Sequence, residues 1–204
     1  MPKMNYTVAR VQTRTRDSIG KYERHNERKN EYYQNTNVDL SQTHNNVHFK
    51  SCGDMTYNEY LDKLVAEGKV SLRGLKKDAK VFDEMILDVN TDYFESHGGY
   101  EYAKQFYAEV YELAKEIAGG EQYIISAVMH ADELNLVMSD AFYRPIYHYH
   151  LHIVALIWFK KNMYLKPLNF IKEIDNTTYA VRTYFNSNTN ENITEKVERI
   201  ILKR

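Results

Sequence analysis

Apolar positions along this chain recur with two periods, near two and near four residues, and the changes of period mark the elements. Tyr6 to Val11 alternates as a strand does. Ser18 to Asn30 is polar and predicts a helix carrying His25, and Val47 to Lys50 predicts a short strand. Thr56-x-x-Glu59 is a capping box. It opens a helix with Tyr57, Tyr60, Leu61, Leu64 and Val65 at apolar positions, and Gly68 closes it. Val81 to Val89 reads as a strand through Phe82, Met85, Ile86, Leu87 and Val89. Ser96 to Ala118 contains a long amphipathic helix, with Ala103, Phe106, Tyr107, Val110, Ala114 and Ile117 at helical spacing and Gly119-Gly120 at its end. Gln122 to Met129 predicts a strand ending at His130, and a further strand runs into Ile153-Val154-Ala155-Leu156. Tyr179 to Phe185 alternates again, Asn186 to Asn192 is a polar loop, and Ile193, Val197, Ile200 and Ile201 suit a terminal helix. Helices mixed with hairpin-compatible strands, without βαβ repetition, predict an α+β fold. A length of 204 residues suits one domain spanning residues 1–204.

Composition adds bounds rather than a function. The 18 tyrosines, against 8 Phe and 1 Trp, can stack on bases, but most such residues fill half-buried sheet faces. The single Cys52 excludes an internal disulfide and suits a reducing cytoplasm. No signal peptide is visible at Met1 to Gln12, and the longest apolar stretch, Ile153 to Phe159, is too short for a membrane span. A cytoplasmic chain without a membrane partner is expected. The net charge of −1 hides an asymmetry. Residues 1–30 carry a balance of +5, residues 68–80 one of +4, and residues 83–145 one of −10. A surface that follows phosphates needs only local basic charge, and Arg10, Arg14, Arg24, Arg73, Lys76 and Lys77 are the candidates.

The chemistry concentrates in Tyr147-His148-Tyr149-His150-Leu151-His152. Successive strand residues face opposite ways, so the imidazoles share one face and Tyr149, Leu151 and Ile153 the other. Two neighbouring imidazoles can lean toward one metal ion at about 2.1 Å per bond, whereas three from one straight strand reach it less easily. A third ligand therefore comes from elsewhere, with His130 or Glu133 the best placed, and His148 stays open as a ligand, a supporting donor or a residue beyond the strand. His44, His48 and His97 read as surface or core histidines, with His44 also open as a residue facing DNA.

Five blocks in order resemble one family. They are Tyr6-Thr7-Val8-Ala9-Arg10-Val11-Gln12, His25-Asn26-Glu27-Arg28, and Asn37-Val38-Asp39-Leu40-Ser41-Gln42-Thr43-His44-Asn45. A fourth comprises Lys69-Val70-Ser71 through Arg73, Lys76-Lys77-Asp78-Ala79 and Asp83-Glu84, and the fifth His130-Ala131-Asp132-Glu133 with His150-Leu151-His152. Over residues 5 to about 157 the chain resembles the nuclease domain of the Mob/Pre plasmid mobilisation and recombination proteins of the MobV type.

That resemblance implies an HUH-type nicking enzyme with an antiparallel sheet flanked by helices. It implies cleavage of one strand of hairpin or single-stranded DNA at an origin of transfer, a covalent 5′ adduct, and other mobilisation proteins as partners. It also implies a divalent ion, Mn²⁺ or Mg²⁺, on His130, His150 and His152 with help from Glu133. The nucleophile maps onto His25 and the arginine near the scissile phosphate onto Arg28; on a continuous helix the two share a face. Tyr22 is the second candidate nucleophile, followed by Tyr32 and Tyr33. Two departures stand out. Fourteen residues, Leu134 to Tyr147, separate Glu133 from the histidine run and read as an extended hairpin loop, and residues 158–204 match poorly, the family's long C-terminal region being absent. Two other readings stay open: a DNA-binding or autoregulatory module with weak nicking, and a nuclease of replication or transposition.

Overall fold

The computed structural model describes residues 7–156 in full and, of the remainder, the backbone of residues 169–174 and 177–182. Two compact units divide the chain, Met1–Ile157 and Trp158–Arg204. The first unit runs β1 (Thr7–Thr15), α1 (Arg16–Asn26), β2 (Val47–Lys50), α2 (Tyr57–Ala66), β3 (Lys80–Val89), α3 (Thr91–His97), α4 (Gly99–Ala118), β4 (Ile124–His130), α5 (Leu136–Phe142) and β5 (His150–Leu156). Its five strands form one sheet in the order β1-β3-β5-β4-β2, antiparallel throughout. The expected α+β architecture, an antiparallel sheet flanked by helices, is the one observed.

Register decides which side chains meet. Residues opposed across a ladder point to the same face. Ile86, His152 and Val128 are opposed across β3, β5 and β4, and so are Asp88, His150 and His130. The three histidines therefore share a face, with Glu84 two residues before Ile86 on the same side. The opposite face presents Leu87, Ala127, Met129, Leu151 and Ile153, which pack with Phe94 of α3 and Tyr107 of α4. On the histidine face, Ile19 of α1 and Tyr57, Leu61 and Leu64 of α2 pack with Phe82, Ile125, Val154 and Leu156. One end of that face is thus an apolar core and the other holds the polar cluster.

Local chemistry sets the helix ends. In α2 the Glu59 N–H donates to Thr56 Oγ1 at 3.2 Å and the Thr56 N–H to the Glu59 carboxylate at 2.6 Å. After α2, Gly68 takes φ +71°, with Gly68 N–H on Val65 O and Lys69 N–H on Leu64 O, the pattern of a Schellman motif. A second reciprocal box, Thr15 with Ser18, starts α1 two residues earlier than the sequence pattern places it.

Three expectations need correction. α1 ends at Asn26 rather than Asn30, and Arg28 takes a left-handed conformation with φ 51°. His25 and Arg28 therefore do not share a helix face. The segment from Leu134 to Tyr147 is not a plain loop. A Leu134–Tyr147 bridge forms its neck, and Asn135 caps α5 by accepting from the Met138 N–H at 3.1 Å. α3, too, is an element that the apolar periodicity does not mark.

In the second unit, β6 (Asn169–Ile174) and β7 (Thr177–Arg182) form an antiparallel pair. The strand expected over Tyr179–Phe185 overlaps β7, whereas the loop after Asn186 and the terminal helix from Ile193 lie outside the described residues. Among the described residues, no helix is long and apolar enough to cross a membrane.

Candidate metal centre

His130 ends β4 directly opposite His150, the first residue of β5. The centroids of the His130, His150 and His152 rings are 4.7–5.1 Å apart. His25, in the last turn of α1, brings a fourth ring to 5.5 Å from both His130 and His152. Glu133 follows the end of β4 and aims Oε1 into the group, 3.8 Å from His130 Nδ1, 3.8 Å from His150 Nε2 and 3.9 Å from His25 Nε2. Two triads, His25-His130-His152 and His130-Glu133-His150, each hold donor atoms within 4.8 Å of one another.

The hydrogen bonds of the cluster are incomplete in an informative way. His130 Nε2–H donates to the Asn26 carbonyl at 2.9 Å, which leaves Nδ1 as a lone pair. Among the described residues, His130 Nδ1 is buried without a hydrogen-bond partner, and so are His150 Nδ1 and His152 Nδ1. Three unpartnered nitrogens in one buried patch are costly unless another atom completes them. Burial and the neighbouring imidazoles hold His130 and His150 well below the ordinary histidine value. Burial, then His152 and Arg28, lowers His25 as well. Neutral imidazoles beside a carboxylate form a donor set that fits Mn²⁺, and equally Zn²⁺, Co²⁺ or Ni²⁺.

Behind these residues lies a layer built on two carboxylates, Glu84 and Asp132, that the sequence patterns leave without a role. Glu84 places Oε1 3.9 Å from His152 Nδ1, while its Oε2 accepts from Arg14 Nε at 3.1 Å and Nη2 at 2.8 Å. Asp132, 0% exposed, accepts from Arg28 Nε at 2.8 Å, Arg28 Nη2 at 2.6 Å, Asn46 Nδ2 at 2.8 Å and Thr43 Oγ1 at 3.0 Å. Arg28 also donates to Glu133 Oε1 at 2.7 Å and to the His25 carbonyl at 3.2 Å. Asp132 and Glu84 both stand inside blocks that carry the family resemblance, and their acidity was the available signal.

Of the residues singled out in the sequence, His25, His130, Glu133, His150 and His152 come together. His148 stacks on His150 at 5.4 Å but stands in neither ligand triad. It precedes β5, and both ring nitrogens are engaged, Nε2 with Asp88 at 3.0 Å and Nδ1 with Thr91 at 2.9 Å. Arg28 has its side-chain donors on carboxylates and a carbonyl. Tyr22 stacks under the Arg14 guanidinium at 3.7 Å, so Arg14 is committed to Glu84 and Tyr22. Arg10, Arg24, Arg73, Lys76 and Lys77 are exposed.

The model of the plasmid recombination enzyme family, Mob_Pre, matches residues 3–199. A plasmid recombination enzyme of Streptococcus agalactiae is 33% identical over 137 residues, covering 64% of this chain and 26% of that protein. A type 2 plasmid recombination enzyme of Staphylococcus aureus is 30% identical over 130 residues, covering 64% and 30%. The chain thus spans under a third of these relatives' lengths. Among solved structures, an Mn-bound MobM relaxase domain on a 22-nucleotide pMV158 oriT DNA with a 3′ thiophosphate matches at TM-score 0.55 and 29% identity, over 74% of this chain and 69% of that one. A second, also Mn-bound on the 22-nucleotide DNA, matches at TM-score 0.58 and 26% identity, over 78% and 73%.

Proposed function

Because the chain belongs to the Mob/Pre plasmid recombination enzyme family, we propose that it is a DNA relaxase that nicks one strand at an origin of transfer by transesterification. The observation that carries this reading is the convergence of four imidazoles and Glu133 on one buried patch with unpartnered nitrogens. His130, His150 and His152, with Glu133, would hold a divalent ion. When bound, such an ion draws charge from a phosphate oxygen and fixes the phosphate for in-line displacement.

The chain's own residues supply the rest. His25 is part-exposed, is held neutral near pH 7, and lies beside the ligand set. Its unprotonated nitrogen attacks phosphorus. The P–N bond forms as the bond to the 3′-oxygen breaks, and that oxygen takes up a proton from solvent and leaves as a hydroxyl. The 5′ end stays on the protein, and reversal rejoins the strand. Arg28 works as a positioning residue, holding Glu133 by its side chain and His25 by its carbonyl. Glu84 does the same for His152 from the Arg14 side.

Two measurements test the reading. Titration of the protein with Mn²⁺ in a calorimeter is expected to show one site that disappears in His150→Ala. Supercoiled DNA carrying a plasmid origin is expected to become open circles with Mn²⁺ and to stay supercoiled with a chelator. Metal binding without nicking on any origin would favour a DNA-binding module instead.

The exposed basic residues supply the DNA contact in this proposal. Arg73, Lys76 and Lys77 form no side-chain ion pair among the described residues. Affinity for single-stranded DNA is expected to fall steeply with salt, and replacing Lys76 and Lys77 with alanine to reduce the slope of log affinity against log salt by about 0.7 per lost phosphate contact. An unchanged slope removes this segment from the interface.

A further inference from the structure

Beside His25 lies an open cavity of about 610 Å³ lined by Arg24, His25, Lys29, Asn30, Tyr32 and Tyr33, among others. Its volume falls in the range of small-molecule sites, which run from roughly 300 to 1,000 Å³. The two tyrosines differ in how they are held. Tyr33 is fixed: its hydroxyl donates to the Arg24 carbonyl at 3.3 Å and accepts from the Asn30 N–H at 3.4 Å. Its ring stands edge-on to His25 at 6.0 Å, with the Arg28 guanidinium 5.3 Å from its centre. Tyr32 is 76% exposed and has no hydrogen bond or ring contact among the described residues. Lys29 is held by Glu23 at 2.9 Å, whereas the Arg24 guanidinium carries no ion pair among the described residues. Glu31 is the one carboxylate in the lining.

A fixed aromatic ring, an unanchored one and an unpaired guanidinium around one hollow suit a flat base with an attached phosphate. Stacking on aromatic rings is how single-stranded nucleic acid is held without regard to sequence. We propose that this cavity binds one unpaired nucleotide next to the scissile phosphate. Its base lies on Tyr33, Tyr32 closes over it, and Arg24 meets its phosphate. The inference rests on the relaxase reading, because the hollow opens beside the proposed nucleophile. The occupant is a nucleotide either on the 5′ side of the break or on the 3′ side that stays attached, and substrate design separates the two.

The probe is a single-stranded (dT)₈ carrying one 2-aminopurine, a base whose fluorescence is quenched by stacking, with 5-iododeoxyuridine in its place for photocrosslinking. Quenching is expected on binding, and crosslinks are expected at Tyr32 or Tyr33. Tyr32→Ala is expected to weaken binding about 5- to 100-fold and to abolish most of the quenching, while calorimetric Mn²⁺ binding stays intact. Tyr33→Phe keeps the ring and should retain quenching. Crosslinks confined to residues 69–80, or an affinity unchanged in Tyr32→Ala, overturn the site. On origin DNA, an abasic residue placed just before or just after the break should cost the wild type activity on one side only. The same residue should cost Tyr32→Ala nothing further. Nicking that persists unaltered in Tyr32→Ala overturns the pocket and leaves the relaxase. Stacking that persists without nicking on any origin overturns the relaxase and leaves the pocket.

Discussion

Asp132→Ala is expected to destabilise the fold by about 3–5 kcal/mol, the usual effect of removing one partner of a buried ion pair. Three side chains from two separate segments meet on that carboxylate: Arg28 after α1, and Thr43 and Asn46 ahead of β2. The Arg28 side chain is only 3% exposed, so alanine at position 132 leaves a buried guanidinium with Glu133 as its remaining carboxylate. The backbone is tied at the same place. Asp39 N–H donates to the Asp132 carbonyl at 2.8 Å, and Ala131 N–H donates to Asn46 Oδ1 at 2.7 Å. Urea denaturation followed by circular dichroism reads the loss as a lower midpoint at similar slope. The pair Arg28→Met with Asp132→Leu is expected to lose less than Asp132→Ala alone, because no charge is then stranded. An Asp132→Ala protein within about 1 kcal/mol of the parent would mean that the charge finds water, and that the hub is not a hub.

This cluster also marks where sequence reasoning stops. The capping box Thr56-x-x-Glu59 and the turn at Gly68 are local, and α2 is bounded where they say. The alternation of His150, Leu151, His152 and Ile153 is local too, and it sends two imidazoles to one face and two apolar side chains into the core of the other. The end of α1 is different. Glu27, Arg28 and Lys29 are good helix formers, so propensity extends the helix past Asn26. What stops it is Arg28, whose left-handed backbone, costing of order 1–3 kcal/mol, turns its guanidinium onto Asp132 and Glu133, more than a hundred residues away in sequence. No period in residues 18–30 encodes that partner. α5 was hidden for the opposite reason: it has only seven residues, too few for a helical period to stand out against Leu134 to Tyr147. His148 stays out of the ligand triads because Asp88 and Thr91 take its nitrogens, and neither contact is visible from the alternating run.

His25→Ala is expected to abolish the covalent DNA adduct and to lower the nicking rate by at least about 10³-fold, since loss of a nucleophile removes the reaction path itself. Metal binding should survive, because His130, Glu133, His150 and His152 still face one another. That combination separates a nucleophile from a ligand: His150→Ala loses both the ion and the adduct, whereas His25→Ala loses the adduct alone. Tyr22→Phe is expected to keep nicking, because the Tyr22 ring lies under Arg14, on the Glu84 side of the site. The bond formed is also diagnostic. A phosphoramidate on imidazole is cleaved by mild acid, and a tyrosyl phosphodiester resists it. Trapping the complex on an oligonucleotide spanning the nick, splitting the sample between acid and neutral buffer, and mapping the modified peptide should give an acid-labile mass on His25. An acid-stable mass on Tyr22, Tyr32 or Tyr33 would move the nucleophile to that tyrosine and leave His25 as a neighbour of the metal ligands.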